Sequence, residues 1–145
     1  MSARATHAPY QDATLPVSER VEDLLGRMTL EEKAGQMFHA ITFGGASVDA
    51  GTQGLIADGF MSHFNVHQLP DARTAARWHN AIQELASRTR LGIPITVSTD
   101  PRHAFAENQG ASFAAGFFSA WPEPIGMAAL RDPETVRRFA DTARQ

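Results

Sequence analysis

Short apolar segments alternate with amphipathic helical segments along this chain, and that alternation constrains its fold more than any other feature. Three runs rich in β-branched or aromatic residues are predicted strands, at residues 38–43, 61–66 and 93–99. The third run shows little polar–apolar alternation, which is typical of a strand buried on both faces of a parallel sheet. Because strands that alternate with helices form right-handed βαβ units, the sequence predicts an α/β fold.

The helical segments carry recognisable start signals. Apolar residues recur with helical spacing in residues 17–28. Thr29 followed by Glu32 is a capping box, in which each side chain binds a backbone N–H of the first turn, so a new helix is predicted there. The residues of that helix expected to face the core are Leu30, Ala34 and Met37.

Two further helices begin after aspartates that are predicted N-caps, Asp71 and Asp132. The first has an apolar stripe of Ala75, Trp78, Ile82 and Leu85. The second has a stripe of Val136, Phe139, Ala140 and Ala143. Residues 51–60 are predicted as a short helix or loop, and residues 100–124 as a long irregular loop of the kind that is often functional.

The number of predicted strands is small for the expected architecture. Only about three strands are present, and the last helix has no stop signal before Gln145. A closed (β/α)₈ barrel needs about 200–250 residues. We therefore expect either a small open sheet or the N-terminal portion of a (β/α)₈ barrel truncated after about three strands. Residues 1–16 are predicted to be a flexible or surface-lying arm, and residues 17–145 the domain itself.

Composition excludes several classes of protein. The formal net charge is −3, so no basic surface indicates nucleic-acid binding. The chain has no cysteine, which excludes disulfides, thiolate zinc sites and cysteine nucleophiles within it. No apolar run is long enough for a membrane helix, and the polar N-terminus is unlike a signal peptide, so we expect no membrane association and a cytoplasmic location. Nothing in the sequence indicates the oligomeric state.

Asp100 is the leading candidate for a binding or catalytic role. It follows the third predicted strand, and ligands of parallel α/β folds bind at the carboxyl ends of strands. His103 comes three positions later, so the two side chains could hydrogen-bond or bind hydroxyl groups of a ligand jointly. The alternative is structural, with Asp100 capping a loop or helix and His103 lying on a surface loop.

Other candidate residues carry weaker signals. His63 and His67 are four apart but lie on a predicted strand and its exit with no acidic residue beside them, so no metal site is expected. Trp121 could stack on a ligand or pack against its neighbouring prolines. Glu107 and Glu123 are loop carboxylates without a defined partner. Gly44-Gly45 lacks a phosphate-loop pattern, and no metal or organic cofactor is implied.

Three stretches together resemble glycoside hydrolase family 3. The first, residues 12–37, contains VEDLLGRMTLEEKAGQM and resembles the opening of the family. The second, residues 90–103, is RLGIPITVSTDPRH and resembles the entry to a strand that ends in an aspartate, with a histidine three positions on. The third, residues 121–143, begins WPEPIGMAALRDPE and resembles the segment FPxPIGLAATxDPE. Their order and spacing make the resemblance specific over nearly the whole chain.

The resemblance implies a fold, an activity and one binding residue. It implies that residues 17–145 are an incomplete family 3 N-terminal domain of the (β/α)₈ type. The implied activity is exo-acting hydrolysis of β-glucosides or β-glucans with retention through a covalent intermediate. Asp100 matches the aspartate that binds hydroxyls of the terminal sugar, and His103 matches a neighbouring histidine, although Ala104 replaces the usual glycine.

The resemblance also implies what this chain does not contain. The aspartate nucleophile, the acid/base and the Lys-His sugar-binding pair of the family have no counterparts here, so we expect no catalytic residue within the chain and no activity by the chain alone. Asp100-Pro101-Arg102-His103 differs from the Asp-x-Glu-Gly-Gly-Arg pattern of N-acetylglucosaminidases, which favours the glucosidase-like or glucanase-like branch. The rival hypotheses are a complete small α/β carbohydrate-binding module without catalysis and a degraded, non-functional reading frame.

Overall fold

A computed structural model of the chain describes residues 8–67, 70–98, 103–106 and 114–144. These residues form a mixed α/β structure that begins with a 3₁₀ turn at Pro9–Gln11. The helices and strands follow in the order α1 (Val17–Arg27), α2 (Leu30–Gly35), β1 (Ala40–Thr42), α3 (Ala50–Ala57), β2 (His63–Val66), α4 (Ala72–Ser87), β3 (Thr96–Ser98), α5 (Pro124–Ala129) and α6 (Pro133–Arg144).

The three strands form one parallel sheet in the order β1-β2-β3, which confirms the predicted α/β class. Phe64 in the central strand pairs with Ala40 of β1 and with Val97 of β3. Neighbours in sequence are therefore neighbours in the sheet. Each strand is shorter than its predicted run, since the paired segments are only three or four residues long.

The predicted caps are present. Thr29 Oγ1 accepts the Glu32 N–H at 3.2 Å, and Glu32 Oε2 accepts the Thr29 N–H at 2.9 Å, which completes the capping box of α2. Asp71 Oδ1 accepts the Thr74 N–H at 2.9 Å at the start of α4. Before α6, Asp132 Oδ1 accepts the Glu134 N–H at 3.0 Å. These short-range contacts fix where the helices begin.

Helices α3 and α4 cover one face of the sheet and form the core with it. On the sheet, Phe64 is fully buried and Val66 is 1% exposed. Trp78 and Ile82 of the predicted α4 stripe are 1% and 0% exposed. The rest of the buried apolar cluster consists of Val48, Ile56, Ala86 and Ile95. Burying side chains of this size supplies most of the stabilisation, at about 1.5–3 kcal/mol for each large one.

The other face of the sheet is more exposed among the described residues. Ile41 of β1 is 56% exposed, and its sheet neighbour Asn65 is only half-buried. Thr96 of β3 is exposed, and Val97 and Ser98 are half-buried. The prediction that the third strand is buried on both faces is therefore wrong for the described structure, because none of the three residues of β3 is fully buried.

Two details of α2 and the downstream loop also differ from prediction. Leu30 and Met37 were expected to face inward, yet they are 78% and 86% exposed. The buried positions of α2 are Glu32 and Gly35 instead, because Gly35 packs directly against the backbone carbonyls of the α3–β2 turn, where a Cβ would collide. The short helix α5 was not predicted.

No helix in the described part of the chain is long and apolar enough to cross a membrane.

Candidate functional site

The carboxyl ends of the three strands meet at one edge of the sheet. Thr42 ends β1, and its carbonyl oxygen accepts the His67 N–H at 3.0 Å just beyond β2. The rings of Phe43 and His67 contact each other edge to face, with centroids 6.1 Å apart. Ser98 ends β3 at the same edge, since β3 runs parallel to β2. This edge is where a parallel α/β fold places its ligand.

Asp100 follows Ser98 by two positions in the sequence and lies outside the described residues. Its predicted role therefore stays a prediction that rests on sequence position and on the orientation of β3. Glu107 also lies outside the described residues.

His103 is described, and its backbone is held by segments that come much later in the chain. Its carbonyl oxygen accepts the Trp121 N–H at 2.7 Å. The next residue, Ala104, forms a parallel bridge with Ala114, and its carbonyl oxygen accepts the Ala115 N–H at 2.8 Å. Ala104 and Ala115 are both buried. The chain at His103 is therefore fixed to the segment that precedes α5.

The imidazole of His103 is mostly enclosed, with 13% of the side chain exposed. Its ring centroid lies 4.9 Å from that of Phe139 on α6. Trp121 contacts the same phenyl ring edge to face, with centroids 5.7 Å apart. The ring of Trp121 thus takes part in internal packing, and Phe139 is the residue of the predicted α6 stripe that makes this contact.

Glu123 is the charged partner that sequence reasoning did not find for His103. Its Oε2 lies 3.7 Å from His103 Nε2, within ion-pair distance when the imidazole is protonated. Glu123 immediately precedes α5, but its side chain makes no capping hydrogen bond to that helix. Twenty positions separate the two residues, and no local spacing rule links a histidine to a glutamate at that distance.

The sheet face that faces away from the helices carries several polar side chains. His39 Nε2 lies 2.8 Å from Ser98 Oγ, so a residue just before β1 reaches the end of β3. His63 Nδ1 lies 3.2 Å from Ser62 Oγ. Within the described ranges, no group of three or more histidine, aspartate or glutamate residues is arranged to hold a metal ion.

A cavity lies at the opposite end of the sheet. It has a volume of about 390 Å³ and is lined by residues that precede the strands, including Gln36 before β1, Ser62 before β2 and Ile93 before β3. Because this cavity lies at the amino ends of the strands, it is separate from the edge formed by their carboxyl ends. Asp100 follows one of those carboxyl ends, that of β3, in the sequence.

Comparison with known proteins identifies the chain as a relative of glycoside hydrolases. It is 52% identical to probable beta-glucosidase C of Aspergillus flavus, over 100% of this chain and 24% of that protein. It is also 52% identical to beta-glucosidase C of Emericella nidulans, over 94% of this chain and 23% of that protein. A periplasmic beta-glucosidase/beta-xylosidase of Dickeya chrysanthemi is 47% identical over 94% of this chain and 22% of its own length.

These identities confirm the resemblance drawn from the three sequence motifs. Over its length the chain is similar to these β-glucosidases, in agreement with its motif resemblance to glycoside hydrolase family 3. No protein-family model matches the chain. The chain spans about a quarter of the length of the curated relatives it matches.

Proposed function

We propose that this chain is part of a retaining, exo-acting β-glycosidase that hydrolyses β-glucosides or β-glucans. The observation that carries the proposal is the 52% identity to β-glucosidases over the full length of the chain. Retention requires a carboxylate nucleophile and an acid/base that flank one glycosidic bond. In this proposal both groups belong to parts of the protein outside this chain, as the resemblance to family 3 implies.

The proposed fold of the whole protein includes a (β/α)₈ barrel to which these three strands contribute. Two features of the sheet support it. Sequential strands are parallel neighbours, and helices cover only one face. In a barrel that covered face looks outward, while the other face lines a packed interior. The exposed position of Ile41, with Asn65 beside it, suits an interior face that further strands would cover.

In this proposal Asp100 binds hydroxyl groups of the terminal sugar. A carboxylate accepts two short, charge-assisted hydrogen bonds from neighbouring hydroxyls, which gives both affinity and orientation. It follows β3 by two positions in the sequence, and ligands of parallel α/β folds bind at the carboxyl ends of the strands. We include His103 in the same binding region. The enclosure of its Nε2 against Glu123 leaves little of the ring for direct contact with sugar.

The proposal is tested on the full-length protein. It is incubated with aryl β-glucosides and aryl β-xylosides, and the anomer released first is identified by proton NMR. We expect hydrolysis with release of the β-anomer, and the same rate in the presence of a chelator because no metal is implied. Release of the α-anomer would contradict retention. Carbohydrate binding without turnover would favour a non-catalytic module.

We expect a cytoplasmic location for the full-length protein, whereas the name of the Dickeya chrysanthemi relative places that protein in the periplasm. Fractionation of the native organism, with detection of the full-length protein, decides between them.

A further inference from the structure

One row of side chains crosses the sheet face that points away from α3 and α4, here called the open face. Ile41, Asn65 and Ser98 are in register across the three strands. Successive residues of a strand point to opposite faces, and Phe64, next to Asn65, packs in the core with α3 and α4. The row therefore lies on the open face. It is close to the carboxyl ends of the strands, since Ser98 ends β3 and Asn65 is the last residue but one of β2.

His39 reaches this row from the opposite edge of the sheet. It precedes β1, yet its Nε2 is hydrogen-bonded to Ser98 Oγ of β3 at 2.8 Å. Because β2 lies between β1 and β3, the imidazole extends over the central strand. That hydrogen bond uses one of the two ring nitrogens. In the described part of the structure, neither Nδ1 of His39 nor the side-chain amide of Asn65 makes a hydrogen bond.

The strand residues of the open face indicate the kind of ligand that suits it. Within the described strands they are Ile41, Asn65, Ser98, His63 and Thr96, and no aspartate, glutamate, lysine or arginine is among them. Amide, hydroxyl and imidazole groups both donate and accept hydrogen bonds, as sugar hydroxyls do. A neutral polyhydroxyl ligand therefore fits this face better than a phosphate or a carboxylate.

His39 and Asn65 would be unfavourable in a closed, packed interior. The proposed barrel encloses the open face, and a buried polar group without a hydrogen-bond partner is costly. A sugar held above the row removes that cost. We propose that Asn65 and His39 bind hydroxyl groups of the sugar substrate, and that Ser98 is a positioning residue that holds the imidazole. This inference rests on the proposed function, since it adds two binding residues to the proposed glycosidase site.

The first test uses the full-length protein with Asn65→Leu and, as the matched control, Asn80→Leu. Leucine has nearly the shape of asparagine but no hydrogen-bonding group, and Asn80 is an exposed asparagine on α4. We expect Asn65→Leu to lower kcat/KM for an aryl β-glucoside about 5- to 150-fold, the loss typical of a buried polar group that loses its partner. Its thermal midpoint should be unchanged or raised, because leucine suits an interior. Asn80→Leu should match the wild-type kinetics.

A second test identifies the contact with aryl β-glucosides that each lack one hydroxyl group. Groups that interact directly are not additive. The loss caused by Asn65→Leu or His39→Leu should therefore shrink severalfold for the one glucoside that lacks the hydroxyl bound by that residue. Ser98→Ala should lower kcat/KM less than His39→Leu does, because it frees the imidazole without removing it.

Two results would overturn the inference while the proposed function stands. One is wild-type kinetics for Asn65→Leu and His39→Leu in a protein that hydrolyses glucosides; wild-type kinetics for only one of them removes that residue from the site. The other is an equal loss with every deoxy glucoside, as expected if the substitutions disturb the fold or if the two side chains hold only water. A wild-type protein that hydrolyses no glucoside would contradict the proposed function, and the inference with it.

Discussion

The carboxylate of Glu32 binds the guanidinium of Arg90, which lies 58 positions further along the chain. Arg90 Nε donates to Glu32 Oε1 at 2.9 Å, and the same guanidinium donates to the Arg27 carbonyl oxygen at 2.9 Å. Glu32 at the same time accepts the Thr29 N–H of the capping box. One buried carboxylate therefore joins the start of α2 to the turn after α4.

The first prediction concerns replacement of Glu32 by glutamine in the full-length protein. Glutamine can still accept the Thr29 N–H, but it loses the charge that Arg90 binds. We expect the thermal midpoint at neutral pH to fall by several degrees. The matched control is Glu84→Gln, because Glu84 pairs with Arg88 within α4 and both side chains are exposed. That control should leave the midpoint nearly unchanged, since exposed pairs contribute little.

The same pair predicts a pH dependence. The hydrogen bond from Arg90, followed by that from the Thr29 backbone, holds the pKa of Glu32 below its ordinary value of 4.5. A carboxylate whose pKa is lowered by folding stabilises the protein above its unfolded pKa, and that contribution is lost as the pH falls through the folded pKa. The difference in midpoint between wild type and Glu32→Gln should therefore shrink as the pH is lowered below 4.5. A difference that stays constant would contradict the assignment.

A prediction about Ile41 tests whether these strands are part of a (β/α)₈ barrel in the full-length protein. Phe64 is fully buried on the helix-covered face, whereas Ile41 is 56% exposed on the open face. Phe64→Ala should cost about 3–5 kcal/mol, the usual range for a buried phenylalanine. If further strands cover the open face in the full-length protein, Ile41→Ala should also be costly, at about 2–5 kcal/mol. Denaturant unfolding of both variants measures this. An Ile41→Ala protein as stable as wild type would mean that the face stays open.

The 145-residue chain alone should hydrolyse no glycoside. A retaining reaction needs two positioned carboxyl groups, and the resemblance to family 3 implies that both lie outside this chain. The uncovered sheet face and exposed side chains such as Phe43 and Phe117 should also make it bind a dye that reports apolar surface. The purified chain is assayed on aryl β-glucosides and melted in parallel. A sharp melt of a monomer that does not bind the dye would favour the small-module hypothesis. Turnover abolished by a mutation within the chain would contradict the proposal.

Local signals in the sequence predicted the starts of helices well. The Thr29–Glu32 capping box and the Asp71 cap depend on residues three apart, so they can be found without knowing the fold. The α/β class with a parallel sheet also followed from the alternation of strands and helices. The direction in which α2 faces did not follow, because the close approach of Gly35 to the α3–β2 turn is a tertiary contact.

The candidate site was predicted only in part. The position of Asp100 after a strand could be identified from sequence, although the residue lies outside the described structure. The pairing of His103 with Glu123 could not, because the chain between them sets their distance. Helix α5 was missed because six residues beginning with proline give too short a pattern to separate from a loop.

The replacement of Asp100 by asparagine in the full-length protein tests the central claim most directly. Asparagine keeps the shape of the side chain but loses the charge that strengthens two hydrogen bonds to sugar, each contributing about 1.5–3 kcal/mol. We predict that kcat/KM for an aryl β-glucoside falls about 10²–10³-fold, with a lower kcat and a nearly unchanged thermal midpoint. Near-wild-type kinetics, or a lowered midpoint with normal kinetics in the folded protein, would remove Asp100 from the site.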